Sequence, residues 1–417
     1  MVEIINITDK EHDDFVMTHK NGDLLQLTSW AKTKELTGWY SRRIAVSKND
    51  RLSGVALLLF KKIPKLPVTM CYVSRGFVCD YKDTEVVKAL LSAAKTLAQD
   101  ERAYTIKIDP DIDATTNRDV IDDLKLLGFK HHGLTDGMSK KVIQPRTTMV
   151  TKIDVDDQTL LKSFERNNRT KVRNALKAGT TVVKASRQDL PTFVKLMEET
   201  GERDGFLTRD ITYFESLYDN LNPNGHMELF LVKLLPNEAL NSINTDIEKV
   251  RKDMTKAEKI KDEEKKKNQL NNLNNRMTKL DKQLSDMEKI KESHPDGIVL
   301  SGALLALSGH KSYYLYGASS NEYREYLPNH HMQWHMMLYA REKGATTYDF
   351  GGVSVEPDKN DEHFGLWQFK KVWGTSVSDK VGEFDYVLNK PLYTMAETMI
   401  PLFQKAKMKI GEIVRRK

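Results

Sequence analysis

The chain has 417 residues, 39% of them hydrophobic and 30% charged, with a formal net charge of +6. That length exceeds a single core and provides for two globular units, while the modest positive charge permits a polyanionic partner without requiring one. The longest apolar run, Val55 to Phe60, is far shorter than the ~20 residues that span a bilayer, which excludes a membrane-crossing helix. Met1 to Lys10 is polar rather than an apolar leader, so no signal peptide is expected. Cys71 and Cys79 lie in an apolar stretch outside any zinc or CxxC spacing and read as reduced packing thiols of a cytosolic protein.

In chain order, Gly54 to Lys61 and Thr69 to Phe77 read as strands, Thr84 to Ala98 as an amphipathic helix and Tyr104 to Ile108 as a strand. A helix beginning near Phe164 carries Arg166, Arg169, Arg173 and Lys177 at spacings of three and four. Four cations on one face either hold phosphates or form a solvated helix surface. Gln188 to Leu221 is helical with a break at Gly201 to Asp204, and His226 to Leu235 is a buried strand.

Asn237 to His294 then runs without Gly or Pro, rich in Lys, Glu, Asp and Asn. Leu240, Ile243, Ile247, Val250 and Met254 form one heptad seam, and Leu270, Leu273, Met277, Leu280, Leu284 and Met287 form another. Two seams separated by the polar stretch Lys261 to Gln269 predict two equal helices folded back on each other, each roughly 35 Å long at about 1.5 Å per residue. The arm interrupts a hairpin whose second strand starts at Ile298. Strands at Ser312 to Tyr316 and Thr346 to Phe350 flank a helix from Asn329 to Glu342. This order repeats that of the first half, and Ala103 to Pro110 echoes Ala345 to Gly352, with Phe129-Lys130 and Phe369-Lys370 as a further echo.

Several chemistries are unsupported. His330, His331 and His335 share a helix but lack the Glu and the additional ligands of a zinc site, so no metal is expected. Gly309-His310-Lys311-Ser312 lacks the spacing of a phosphate loop, and the Gln/Arg-x-x-Gly-x-Gly/Ala loop of an acyl-CoA enzyme is missing. The basic C-terminal run from Lys405 to Lys417 reads as a polar tail that could rest on lipid or RNA. Tyr313 to Ser320, Tyr348 to Gly352 and Gly365 to Gly374 are dense in aromatics and glycines. They form either a concave surface for an extended polar substrate or an aromatic core.

Trp30 with Lys34, Ser74-Arg75-Gly76, Ile108-Asp109-Pro110, Gln144-Pro145-Arg146, the Arg166 to Lys177 stripe, Arg203 to Phe206 with Arg209 and Tyr213, Tyr348 to Gly352, and Phe369-Lys370 together resemble the FemABX family. Each motif is short; their order along the whole chain carries the resemblance. It implies an α+β fold of two acetyltransferase-like (GNAT) mixed-sheet domains, at 1–150 and at 151–237 with 295–417, and an inserted antiparallel coiled-coil hairpin at 238–294. It also implies a tRNA-dependent aminoacyltransferase that adds the first glycine of the peptidoglycan cross-bridge, from glycyl-tRNA to the stem-peptide lysine of lipid II. Such an enzyme works in the cytoplasm at the inner face of the cell membrane.

Carried over residue by residue, Lys34 and Arg209 hold the precursor's diphosphate with Tyr213 and Tyr316 beside it. Lys370 and Asp109 are catalytic, Lys370 at the aminoacyl end of tRNA and Asp109 lining the acceptor channel, with Lys371 an alternative inward ammonium. Phe369 and the basic stripe face tRNA, and the arm braces tRNA or another cross-bridge aminoacyltransferase. Because the donor ester is already activated, no cofactor, ATP or metal is expected. At an ordinary carboxylate pKa Asp109 is a poor base, so it is expected to orient the amine or relay its proton. A later cross-bridge glycyltransferase and a noncatalytic tRNA-binding protein are the alternatives.

Overall fold

The computed structural model describes residues 1–64, 66–135, 138–139, 142–354, 357–361 and 363–398, so the basic run from Lys405 lies outside the described residues. It is a mixed α+β protein built on two mixed sheets. The first contains β1 (Val2–Ile5), β2 (Trp39–Lys48), β3 (Arg51–Lys62), β4 (Thr69–Val73), β5 (Val78–Cys79), β6 (Ala103–Ile108), β7 (Lys130–His131) and β15 (Phe384–Val387). The second contains β8 (Thr147–Lys152), β9 (Thr180–Ala185), β10 (Met227–Leu234), β11 (Ile298–Ser308), β12 (Lys311–Ser319), β13 (Thr347–Gly352) and β14 (Ser376–Asp379). β3 is buried on both faces from Gly54 to Phe60, which explains its unbroken apolar run.

The two sheets share a plan. In each, four strands run antiparallel, β1-β2-β3-β4 and β9-β10-β11-β12, and a parallel step follows, β4 to β6 and β12 to β13. An antiparallel strand then completes each parallel pair, and each sheet takes it from the other half of the chain. β15 lies between β6 and β7, and β8 lies between β13 and β14. Phe384–Val387, expected in the second unit, therefore belongs to the first sheet, and Thr147–Val150, expected in the first, belongs to the second. Alternating apolar residues announce a strand but not the sheet it joins. The echoing segments at Ala103 and Ala345 fall on the equivalent strands β6 and β13. The Phe-Lys pairs are not equivalent: Phe129-Lys130 enters β7, whereas Phe369-Lys370 ends a helix.

The helices are α1 (Asp9–Thr18), α2 (Thr28–Glu35), α3 (Thr84–Asp100), α4 (Asp119–Leu126), α5 (Asp157–Ser163), α6 (Arg166–Ala175), α7 (Leu190–Asp204), α8 (Ile211–Leu221), α9 (Pro236–Glu258), α10 (Glu263–Ser293), α11 (Pro328–Glu342) and α12 (Phe364–Lys371). α3 is capped by Asp83 and buries Val86, Val87, Leu90, Leu91, Ala94 and Ala98 against the first sheet. α7 runs through Gly201 and stops at Gly205, whose left-handed backbone (φ 74°) ends it, so the expected break shifts to the loop before α8.

The arm leaves the second sheet between the paired strands β10 and β11. Ile247, Val250 and Leu280 are buried along its seam with Ile243, Met254, Leu273, Met277 and Leu284 packed around them. Its root is fixed by Met287 and Ile290 against Leu234, Leu300 and Tyr326. The helices are unequal, 23 residues in α9 and 31 in α10. The stretch expected as a turn is mostly the start of α10: Asp262 caps it by accepting from the Lys265 N–H at 3.0 Å, and the Glu, Lys and Gln that follow favour helix without a seam.

Candidate functional site

α2 packs on α8, and that contact assembles a pair of cations. Trp30 is buried in the face of α2, and one turn later the Lys34 Nζ lies 3.9 Å from its ring centroid. Arg209, just before α8, sits over the Tyr213 ring at 5.0 Å, and the Tyr213 hydroxyl lies 3.0 Å from that of Tyr316. A β-bulge in β12 between Tyr314 and Tyr316 sets the direction of this strand end. Burial, with the Arg209 charge adding to it, lowers the Lys34 pKa to about 8. Among the described residues no carboxylate pairs with either cation, so two adjacent positive groups stand together here without a counter-charge.

Where the two sheets meet, charges alternate. Asp109, just beyond β6, accepts from the Tyr72 hydroxyl at 2.9 Å, the Arg75 N–H at 2.8 Å and the Arg75 guanidinium at 3.3 Å. Arg75 holds φ at 61° and is followed by Gly76 at 74°, where a Cβ would lie 2.9 Å from the Pro110 Cα. That explains Ser74-Arg75-Gly76: the strained turn aims both Arg75 donors at one carboxylate. Burial nevertheless pushes the Asp109 pKa up to about 7, against the opposing pull of Arg75. The expectation of an ordinary carboxylate is thereby corrected. Asp111 pairs with Lys380 at 2.9 Å and with Lys311, and these cations together with Arg75 hold it well below the usual carboxylate range despite burial.

Lys370, on α12, stands near this region through Asp349, whose carboxyl group lies within reach of the charges of Lys370, Lys380 and Arg75. This lysine lies in the last turn of α12, is 5% exposed, and donates to the Gly352 carbonyl at 2.7 Å. Burial lowers its pKa to about 8, opposed by the charge of Asp349. Asp349 itself accepts from Thr148 at 3.0 Å and from the Gly351 N–H at 2.6 Å. Gly352 has no room for a side chain, because a Cβ would stand 2.5 Å from the Pro145 ring. Lys371 lies outward over Trp367, 4.5 Å from its ring, which leaves Lys370 as the inward ammonium. Phe369 packs on Phe350 and Trp373, both core residues, so this side chain supports Lys370 from the core edge. Tyr348, Phe350 and Trp373 are likewise core rather than substrate surface.

α6 is joined to the end of α12: the Glu165 N–H and the Asn168 amide both donate to the Val372 carbonyl, at 3.0 and 3.3 Å. Asn168, Val172 and Ala175 face inward, leaving Arg166 and Arg173 exposed and Arg169 half-buried. Lys177 lies beyond the C-cap Leu176, outside the helix proper. Among the described residues none of these four cations pairs with a carboxylate. The histidines of α11 are packed: His331 shares a hydrogen bond with Thr180 at 2.9 Å, and burial pushes His330 down to about 4. His132, Glu383 and Asp385 converge beside the Asp109 junction, with Glu383 lining the same cavity as Arg75, Asp109 and Lys380, but the Lys107 ammonium already bonds both carboxylates, at 3.2 and 2.7 Å.

Sequence reasoning missed Tyr72, Asp111 and Lys380, picked out Asp349 only as a member of the Tyr348 to Gly352 segment, and treated Lys311 only as a failed phosphate loop. Lys311 and Asp111 stand 200 residues apart, so no spacing could have announced the pair.

The chain combines two mixed sheets built on one plan, a helical hairpin inserted between two paired strands, and cationic groups at the α2–α8 contact and on α6. The chain belongs to the FemAB family, whose model matches residues 7–400. It is 56% identical over 421 residues to a lipid II:glycine glycyltransferase of Staphylococcus aureus (strain USA300), and 57% identical over 416 residues to one of Staphylococcus epidermidis (strain ATCC 12228 / FDA PCI 1200), covering 100% of both chains in each case. The crystal structure of FemX superimposes with a TM-score of 0.87 at 57% identity, over 95% of this chain and 100% of that one.

Proposed function

We propose that the protein is a lipid II:glycine glycyltransferase that takes glycine from glycyl-tRNA and joins it to the ε-amine of the stem-peptide lysine, starting the cross-bridge. End-to-end identity with enzymes of that name supports the transferase and its lipid-linked substrate. The observation that carries the tRNA reading is the α6–α12 junction, which sets unpaired cations beside the helix of Lys370. A charged RNA backbone on α6 would deliver its 3′ end toward that ammonium.

Lys34 and Arg209 grip the diphosphate, and the tyrosine pair donates beside them. The acceptor ammonium gives up one proton to become a neutral amine, which attacks the ester carbonyl; the nitrogen of the tetrahedral adduct then gives up a second proton as the ribose 3′-oxygen leaves and takes one up, so one proton is released overall. A free lysine with a pKa near 10.4 costs about 4 kcal/mol to deprotonate at neutral pH, so the site must help. A carboxylate with its pKa near 7 accepts that proton more readily than an ordinary Asp, which gives Asp109 a larger part than orientation alone. Lys370, with its pKa near 8, remains mostly protonated at neutral pH and is a stronger acid than an ordinary lysine. It stabilises the developing oxyanion and protonates the leaving oxygen.

The test is to offer purified lipid II with either glycyl-tRNA or free glycine and ATP, before and after ribonuclease treatment. Transfer only from intact glycyl-tRNA is expected. Transfer that survives ribonuclease, or that proceeds from free glycine, would remove tRNA from the account.

A further inference from the structure

Three exposed apolar side chains cluster in sequence around the cation pair. Leu36 caps the end of α2 two residues after Lys34 and is 55% exposed. Phe206 and Leu207 precede Arg209 in the loop between α7 and α8 and are 43% and 78% exposed. The packing of α2 against α8 brings the α2 end and the loop leading into α8 to one place. A single exposed leucine needs no explanation, but apolar groups bracketing unpaired cations do. The nearby acids Asp204 and Asp210 are engaged, by Arg203 and by the α8 N-terminus, whereas Lys32 is exposed alongside Glu35.

We propose that Leu36, Phe206 and Leu207 seat the protein on an anionic phospholipid bilayer, holding Lys34 and Arg209 at headgroup depth. The inference rests on the reading of a lipid-linked diphosphate substrate, whose phosphates lie at that depth. No described helix is long and apolar enough to cross a membrane, so contact with such a substrate has to be made at the bilayer surface. Shallow apolar insertion and electrostatic attraction are each weak alone and reinforce one another, which is the combination found here.

Wild type and the Leu36→Ser/Phe206→Ser/Leu207→Ser variant are sedimented with vesicles of equal parts phosphatidylglycerol and phosphatidylcholine. Wild type is expected to partition onto them, less so as salt rises, and the variant about tenfold more weakly. Glycine transfer to lipid II embedded in those vesicles should fall by a similar factor. Transfer to a water-soluble, short-chain analogue with the same diphosphate should not change. Because Phe206 lies over Gly201, the Leu36→Ser/Leu207→Ser variant is measured in parallel, and each variant is compared at a Tm matching wild type. Wild type that stays in the supernatant, or folded variants that sediment as wild type does, overturn the proposal. Inactivity of wild type on both substrates would instead defeat the functional reading, while the sedimentation result still decides the docking.

Discussion

Lys34 and Lys370 are both held near pKa 8, yet by different surroundings. Lys34 is lowered by burial and by a second cation, and among the described residues no carboxylate answers it. Lys370 is lowered by burial alone, while Asp349 pulls the other way and the Gly352 carbonyl fixes the ammonium in place. The first environment is relieved by binding an anion; the second keeps a proton available at a fixed position. In the proposed mechanism, therefore, the same pKa serves a binding group in one region and a proton donor in the other.

Variants can break that contrast. Lys370→Ala should have the largest effect, lowering kcat at least about a hundredfold with KM for lipid II nearly unchanged, as steady-state kinetics would show. A rise confined to KM would make Lys370 a binding residue. Lys34→Ala or Arg209→Ala should do the reverse, raising KM for lipid II by roughly ten- to a hundredfold with a smaller change in kcat. Arg209→Ala carries a sign test as well. Removing the repelling charge raises the Lys34 pKa, so the alkaline rise in KM should move to higher pH.

Next in size, Arg166→Ala/Arg173→Ala should weaken glycyl-tRNA binding and flatten the plot of log Kd against log salt by about two on contact with duplex RNA. Equilibrium titrations across a salt series measure this, and an unchanged slope would return α6 to a solvated surface. Replacing Asn241 to Glu292 by a short linker should raise KM for glycyl-tRNA severalfold and lower kcat less; an unchanged KM would point the arm toward a protein partner. The smallest effect is a shift. The Asp349 charge raises the Lys370 pKa, so Asp349→Asn lowers it, and the alkaline fall of kcat should move to lower pH.

The arm was legible because its heptad seam is local, and its unequal helices were not, since the charged start of α10 extends a helix without extending the seam. Lys34, Arg209, Asp109 and Lys370 stood out through short motifs in a fixed order. Most of their surroundings did not, because Asp111, Lys311 and Lys380 are assembled by the meeting of the two sheets. The exchange of β8 and β15 was invisible for the same reason: a strand's own pattern sets its faces and leaves its neighbours to the topology. Phe369 shows the converse, a residue that stands out in a motif and is used in the structure to pack the core.

The most direct measurement is transfer of radiolabelled glycine from glycyl-tRNA to purified lipid II, run beside precursors already carrying one or three glycines. The account predicts label in the unmodified precursor alone. Label entering only the extended precursors, or none of them, would contradict it.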